Sequence, residues 1–74
     1  MTYKVGVIIE KDDHGYYAYC PDLAGCHTQG DTFEEVMDNI REAIDLYLET
    51  LSYEERNAYL SKEFYTTSVE VNIA

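Results

Sequence analysis

The beginning of the chain alternates apolar and polar residues with the period of two that is typical of β-strands. Over residues 3–11 one face of the predicted strand is apolar, and its members are Tyr3, Val5, Val7 and Ile9. A polar turn at residues 12–15 ends in Gly15, the residue type that most readily adopts a positive φ, and an aromatic run follows at residues 16–20. The pattern predicts a β-hairpin.

A third short strand is expected after a loop. Pro21 cannot donate a hydrogen bond to a neighbouring strand and Asp22 favours a turn, so the second strand ends there. The chain is extended again near residues 26–29, before Gly30 and Asp31 interrupt it. Three successive antiparallel strands are therefore predicted.

The apolar pattern then changes to the helical period. Thr32 and Glu35 have the spacing of a capping box, which predicts that a helix begins there, and the pattern continues to about Thr50. Nine apolar residues fall on one stripe of this helix: Phe33, Val36, Met37, Ile40, Ala43, Ile44, Tyr47, Leu48 and Leu51. We expect that stripe to pack on the sheet and to form core rather than a cofactor site.

The last third of the chain predicts a short helix and one more strand. Ser52 and Glu55 repeat the capping-box spacing, which favours a second helix to about Lys62. The tail alternates again, with one face made of Tyr65, Thr67, Val69, Val71 and Ile73. We expect this strand beside the first one. The predicted fold class is α+β, in the order β-β-β-α-(α)-β, with one main helix on one face of an antiparallel sheet and a single domain over residues 1–74.

The small size of the chain favours self-association. A chain of 74 residues buries only about 60% of its unfolded surface, so its core is marginal. Ile8 lies on the sheet face opposite the helix, and the chain has eight tyrosines, whose apolar rings and polar tips suit an interface. The alternative is that these tyrosines are scattered at the rim of the core. A dimer or higher oligomer is the expectation.

The net charge of the chain restricts the kinds of partner that it is expected to bind. Fifteen acidic residues against five basic ones give a net charge of -10, which repels phosphate backbones and argues against direct binding of nucleic acid. The first ten residues lack the pattern of a secretion signal, and no apolar run is long enough to span a bilayer. We therefore expect a cytoplasmic protein that does not bind membranes and whose two cysteines are reduced.

The acidity is concentrated on the predicted main helix. Six acids project opposite the core stripe: Glu34, Glu35, Asp38, Glu42, Asp45 and Glu49. Three like-charge pairs at i,i+4 spacing cost on the order of 1 kcal/mol together. Leu46 projects among the acids, where it would provide an apolar anchor. Two interpretations stay open, a solvated face and a docking surface for a basic partner. The hypothetical partner-binding residues are Glu35, Asp38, Glu42, Asp45, Leu46 and Glu49.

Residue patterns for catalysis or metal binding are weak. Possible metal ligands are His14, Cys20, Cys26 and His27, but their spacing differs from common zinc sites. Cys26 and His27 are neighbours that would point to opposite faces of a strand. A two-metal carboxylate cluster would need Glu10, Asp22 and Asp31, which are expected at turns and strand ends. We predict no catalytic residue, no metal, no cofactor and no enzymatic activity; the cysteines are expected to be packing residues rather than a disulfide.

The run GYYAYCPDLAGCHTQGD at residues 15–31, followed by TFEEVMDNIREAIDLYLE at residues 32–49, resembles the HicB antitoxin family and its stand-alone relatives. The resemblance covers residues 3–50. The motif residues at its turn are Cys20, Pro21, Asp22, Leu23, Gly25, Cys26, Gly30 and Asp31. It implies a partial RNase H-like sheet that lacks the carboxylates of the nucleases.

The resemblance also implies a function. HicB antitoxins bind and inhibit HicA toxins, which are small basic proteins that cleave mRNA, and an acidic chain is suited to mask such a surface. Many members add a C-terminal DNA-binding domain, for which residues 52–74 are too short, so the expectation is a short form. The alternative is a solitary, self-assembling regulatory or ligand-binding module without a toxin.

Overall fold

Three antiparallel strands form the sheet of the computed structural model, which describes residues 3–73. They are β1 (Ile8–Asp12), β2 (Gly15–Tyr19) and β3 (His27–Gly30), in the spatial order β1-β2-β3. Asp12 pairs with Gly15 across a two-residue turn. Gly15 has a φ of 126°, a conformation that favours glycine, and a Cβ there would lie 2.9 Å from the Gly30 carbonyl oxygen. The predicted hairpin and third strand are confirmed.

The first strand is shorter than the alternation predicts, since β1 begins at Ile8 rather than Tyr3. Ile8 pairs with Tyr19, the last residue of β2, so residues 3–7 have no strand opposite them on that side. Their alternation is still meaningful, because Val5 and Val7 pack against the core together with Ile9. The alternation therefore predicted correctly which side chains of residues 3–9 face the core. The start of β1 was not predicted, because it depends on where β2 ends.

Helix α1 (Phe33–Glu49) lies across the sheet as predicted. The Thr32 hydroxyl accepts a hydrogen bond from the Glu35 amide at 3.0 Å, so the cap is where the sequence placed it. Val36 and Ile40 are buried in the core. Phe33 departs from the predicted stripe: it is half exposed, because it opens the helix, and it makes an edge-to-face contact with a tyrosine ring on β2 at 6.2 Å.

Helix α2 (Tyr53–Leu60) is also confirmed. Its capping box is complete: the Glu55 amide donates to the Ser52 hydroxyl at 3.2 Å, and the Ser52 amide donates to the Glu55 carboxylate at 2.9 Å. The latter bond lowers the pKa of Glu55, because it favours the charged form. The Arg56 Nε donates to the Leu48 carbonyl oxygen at 3.1 Å, and Leu60 packs against the core. These contacts fix α2 against the end of α1.

The predicted last strand is absent from the described part of the chain. After α2, residues 61–73 form no helix and pair with no strand. The Phe64 ring packs against Gly6, and the chain beyond it leaves the body of the molecule, with Val69 80% and Ile73 94% exposed. Alternation shows that a segment can form a strand, but it does not supply a partner. The RNase H-like topology implied by the resemblance depends on that strand and stays a prediction.

A close approach between β3 and α1 gives a test of the packing. A Cβ added to Gly30 would lie 2.7 Å from the Val36 backbone nitrogen, so Gly30→Ala is expected to destabilise the fold by about 1 to 3 kcal/mol. In Gly6→Ala the new methyl group would meet only the Phe64 ring, which can shift, and the loss should be below about 1 kcal/mol. Urea unfolding monitored by circular dichroism measures both. Equal losses would contradict the tight contact between β3 and α1.

Candidate partner-binding surface

The orientation of α1 is set by its contacts with the sheet. Val36 and Ile40 point into the core, and the Asn39 side-chain amide donates to the Gln29 carbonyl oxygen at 3.0 Å. Because one helix side is held against the sheet, the opposite side faces solvent. All six acids that the sequence placed there are exposed: Glu34, Glu35, Asp38, Glu42, Asp45 and Glu49. We call these six residues, together with Leu46, the acidic face.

Leu46 is the apolar member of the acidic face, and it is 58% exposed. It lies four residues after Glu42 and three before Glu49, so the three side chains are neighbours on the helix surface. An exposed leucine by itself needs no explanation. At the edge of the carboxylates, however, it offers a partner one desolvated contact beside charged side chains, as a binding hot spot does.

The helix dipole does not account for the charges of the acidic face. Glu34 and Glu35 lie in the first turn, where the dipole favours acids, but the last turn of α1 has no basic residue while it does contain Glu49. Negative charge near a helix C-terminus is unfavourable. Acids near the end of α1 therefore do not stabilise the helix, which is consistent with a role in binding.

The motif turn between β2 and β3 has a structural role. The Cys20 amide donates to the Cys26 carbonyl oxygen at 3.0 Å, and two further backbone bonds connect Leu23 to both cysteines. Leu23 is fully buried. Gly25, with a φ of 81°, makes the turn. Leu23 was predicted as a motif residue but not as a core residue. The feature that could have indicated its burial is a single leucine within a polar loop.

Both cysteines are free and buried, as expected for packing residues. Burial raises the pKa of the Cys20 thiol to about 12, and the neighbouring Cys26 contributes to that rise. Thiol rather than thiolate is thus present at neutral pH, which makes Cys20 a poor nucleophile and a poor metal ligand.

The raised pKa of Cys20 predicts slow thiol modification and an alkaline loss of stability. At neutral pH, iodoacetamide should modify this thiol far more slowly in the folded protein than in guanidinium, as mass spectrometry of the modified peptide would show. The unfolded state, with an ordinary thiol pKa near 9.0, releases its proton first as the pH rises. The contribution of Cys20 to stability is therefore present below pH 9 and is lost between about pH 9 and 12. Equal modification rates in both states would contradict the burial.

Three of the other sequence candidates, Glu10, His14 and Asp31, line one depression at the hairpin end. His14 lies in the hairpin turn, where its amide donates to the Asp12 carboxylate at 2.8 Å, and His27 lies beside the Tyr17 ring at 5.9 Å. Within residues 3–73, no group of three or more His, Cys, Asp or Glu side chains is arranged to hold a metal ion. Asp22, by contrast, lies in the motif turn.

The structure also bears on the remaining expectations. Among the described helices, none has the length and apolar character needed to cross a membrane.

On the sheet face opposite α1, Tyr17 packs beside Tyr19 with ring centroids 5.7 Å apart, and Tyr17 is 40% exposed. Ile8, which pairs with Tyr19, is half-buried on the same face. This face is partly apolar and open, as the sequence predicted.

A three-stranded antiparallel sheet covered by one capped helix, with a buried Cys-Leu-Cys turn and an acidic outer face, defines a small α+β protein. Comparison with known proteins identifies its family. A family profile described as HicB_like antitoxin of bacterial toxin-antitoxin system matches residues 3–72, and the chain belongs to that family.

Relatives in bacteria and archaea are also similar to the chain. A UPF0150 protein of Synechocystis sp. is 58% identical over 52 residues, which cover 69% of this chain and 66% of the relative. A UPF0150 protein of Helicobacter pylori is 49% identical over 59 residues, covering 80% of this chain and 81% of the relative. A UPF0150 protein of Archaeoglobus fulgidus is 51% identical over 47 residues, which cover 62% of this chain and 68% of the relative. No solved structure matches the chain.

Proposed function

We propose that this protein is a non-catalytic antitoxin that neutralises a basic, HicA-type mRNA-cleaving toxin by binding it through the acidic face. Membership of the HicB-like antitoxin family supports an antitoxin role. The observation that carries the choice of surface is the exposure of six acids around Leu46 on one side of α1. A basic toxin surface complements that charge.

Inhibition by this route requires no chemistry from the antitoxin. A toxin that cleaves mRNA must hold phosphates with basic side chains, and the acidic face competes for those side chains. The attraction steers the two proteins together, while Leu46 provides a contact that excludes water. A cytoplasmic location is part of the proposal, since the toxin's substrate is mRNA. Direct binding of nucleic acid is not, because the net charge of -10 opposes it.

Co-expression with the toxin tests the proposal. The partner to use is the small basic HicA-type protein encoded beside the gene, expressed from an inducible promoter with or without this chain. We expect growth arrest by the toxin alone and restored growth when this chain is present. A toxin that arrests growth equally in both cultures would overturn the proposal, as would a gene neighbourhood without any such toxin combined with no binding to purified HicA-type proteins.

A second candidate function is a self-assembling regulatory or ligand-binding module. The open face formed by Ile8, Tyr17 and Tyr19 favours it, because apolar and aromatic surface of this kind is commonly covered in an oligomer. Self-association is also compatible with the antitoxin role, and we propose it for both. Native mass spectrometry of the purified protein is expected to show a dimer or a higher oligomer; a monomer at all concentrations would contradict this.

A further inference from the structure

We propose that two copies of this chain exchange their C-terminal segments, so that residues 66–73 of each copy add a strand beside residues 3–7 and the free edge of β1 in the other. The inference rests on the self-association proposed above and identifies the segment and the groove that would produce it. It requires no toxin, and its groove shares Asp45 with the acidic face.

The first observation is the position of the tail. The structure is elongated, with extents of 49 × 27 × 19 Å, and its radius of gyration of 14.5 Å exceeds the value of about 11 Å expected for a compact chain of this length. Residues 66–73 are exposed and belong to no helix or strand, and they alternate in the pattern of a half-buried strand. Such a segment in water leaves both its backbone groups and its apolar side chains without protein partners.

The second observation is a groove in the same molecule that could hold such a strand. A mainly apolar groove of about 300 Å³ lies between residues 3–7 and helix α1; its lining includes Val5, Val7 and Ile44, together with the charged Arg41 and Asp45. The order β1-β2-β3 leaves one edge of β1 free, and residues 3–7 precede that strand in the chain. An added strand there would place its apolar side chains in the groove while its backbone pairs with the edge.

The two faces of the tail match the two faces of the edge. Val69, Val71 and Ile73 lie on one face of the tail, and the groove is lined by the apolar face of residues 3–7. The opposite face of the tail has one charge, Glu70, and the opposite face of residues 3–7 also has one, Lys4. Pairing that buries the apolar faces together therefore puts opposite charges on the same side of the sheet.

Charge also favours this contact over others between copies. Each copy has a net charge of -10, so most surfaces of two copies repel each other. The tail, residues 3–7 and the groove side chains Arg41 and Asp45 together contain two acids and two bases, so this contact has no net charge. A second copy is the fitting occupant because none of residues 66–73 of the chain itself lines the groove, and reciprocal exchange fills both grooves with the symmetry of a two-fold dimer.

Two matched variants test the exchange. Val71→Lys and Asn72→Lys each add one positive charge at adjacent positions, but only the first places it on the groove-facing side. Sedimentation velocity of the complete chain is expected to show a dimer for the natural protein and for Asn72→Lys. For Val71→Lys we expect a dissociation constant raised by ~10-fold or more, because the lysine would replace an apolar contact and lose hydration in a groove lined mainly by apolar side chains. Circular dichroism should show unchanged helix content in all three proteins, since the tail lies outside the core.

The outcomes separate the exchange from self-association in general. Dimers that survive Val71→Lys, or that both variants weaken equally, would overturn the exchange while leaving self-association standing. A monomeric natural protein would overturn both. Hydrogen exchange supplies a second readout: the amides of residues 66–73 should be protected in the dimer and should lose that protection in Val71→Lys. Protected tail amides in a monomer would mean that the tail folds back on its own sheet, which would also overturn the exchange.

Discussion

Leu23→Ala is expected to remove a large part of the stability of the fold. Leu23 is fully buried in the turn between two cysteines and is among the largest side chains of a small core. Truncation of a buried leucine costs about 2 to 5 kcal/mol, whereas a chain of this length has a stability of only ~4 to 11 kcal/mol. The variant should unfold at a much lower urea concentration than the natural protein, as followed by far-ultraviolet circular dichroism.

The same substitution at an exposed position gives the matched control. Leu46→Ala removes the same atoms from the solvent side of α1, where Leu46 is 58% exposed, so its effect on stability should stay within about 0.5 kcal/mol. Similar losses in the two variants would mean that the motif turn does not contribute its leucine to the core. If Leu46→Ala instead weakens binding to a toxin at unchanged stability, the two leucines have separate roles, as proposed.

Reversal of charge on the acidic face is expected to weaken binding to a basic toxin by ~10-fold or more. In the double variant Glu42→Lys with Asp45→Lys, attraction is replaced by repulsion next to Leu46. Both residues are exposed, so the fold should be retained. Isothermal titration calorimetry with the purified toxin measures the dissociation constant.

The control variant changes the net charge by the same amount, but at residues outside the acidic face. Asp13→Lys with Glu54→Lys alters the same number of charges in the hairpin turn and at the start of α2, both exposed. Because exposed charges beyond about 8 Å are largely screened at physiological salt, its affinity should change by less than about 3-fold. Equal losses for the two double variants would show that net charge alone, rather than the acidic face, determines binding.

Local signals in the sequence predicted most of the fold, because short-range interactions produced them. The caps at Thr32 and Ser52, the turn ending at Gly15 and the helical stripe around Ile40 each depend on residues close in the chain. The boundary of β1 and the unpaired tail depend on which strands become neighbours, and no periodicity specifies that.

The candidate surface was predicted in part for the same reason. Helical periodicity placed the six acids and Leu46 on the side opposite the core, and their exposure is confirmed. That these residues bind a toxin stays a prediction, because exposure and charge are equally properties of a solvated face. Leu23 was missed as core because its surroundings in the sequence are polar, and only the closing of the turn buries it.

The salt dependence of toxin binding tests the central claim most directly. The dissociation constant of the natural chain for a basic HicA-type toxin would be measured at about 0.05 M and about 0.5 M sodium chloride, since the Debye length shortens several-fold over that range. Docking through the acidic face predicts that the affinity falls by more than ~10-fold. An affinity that does not change with salt would contradict it.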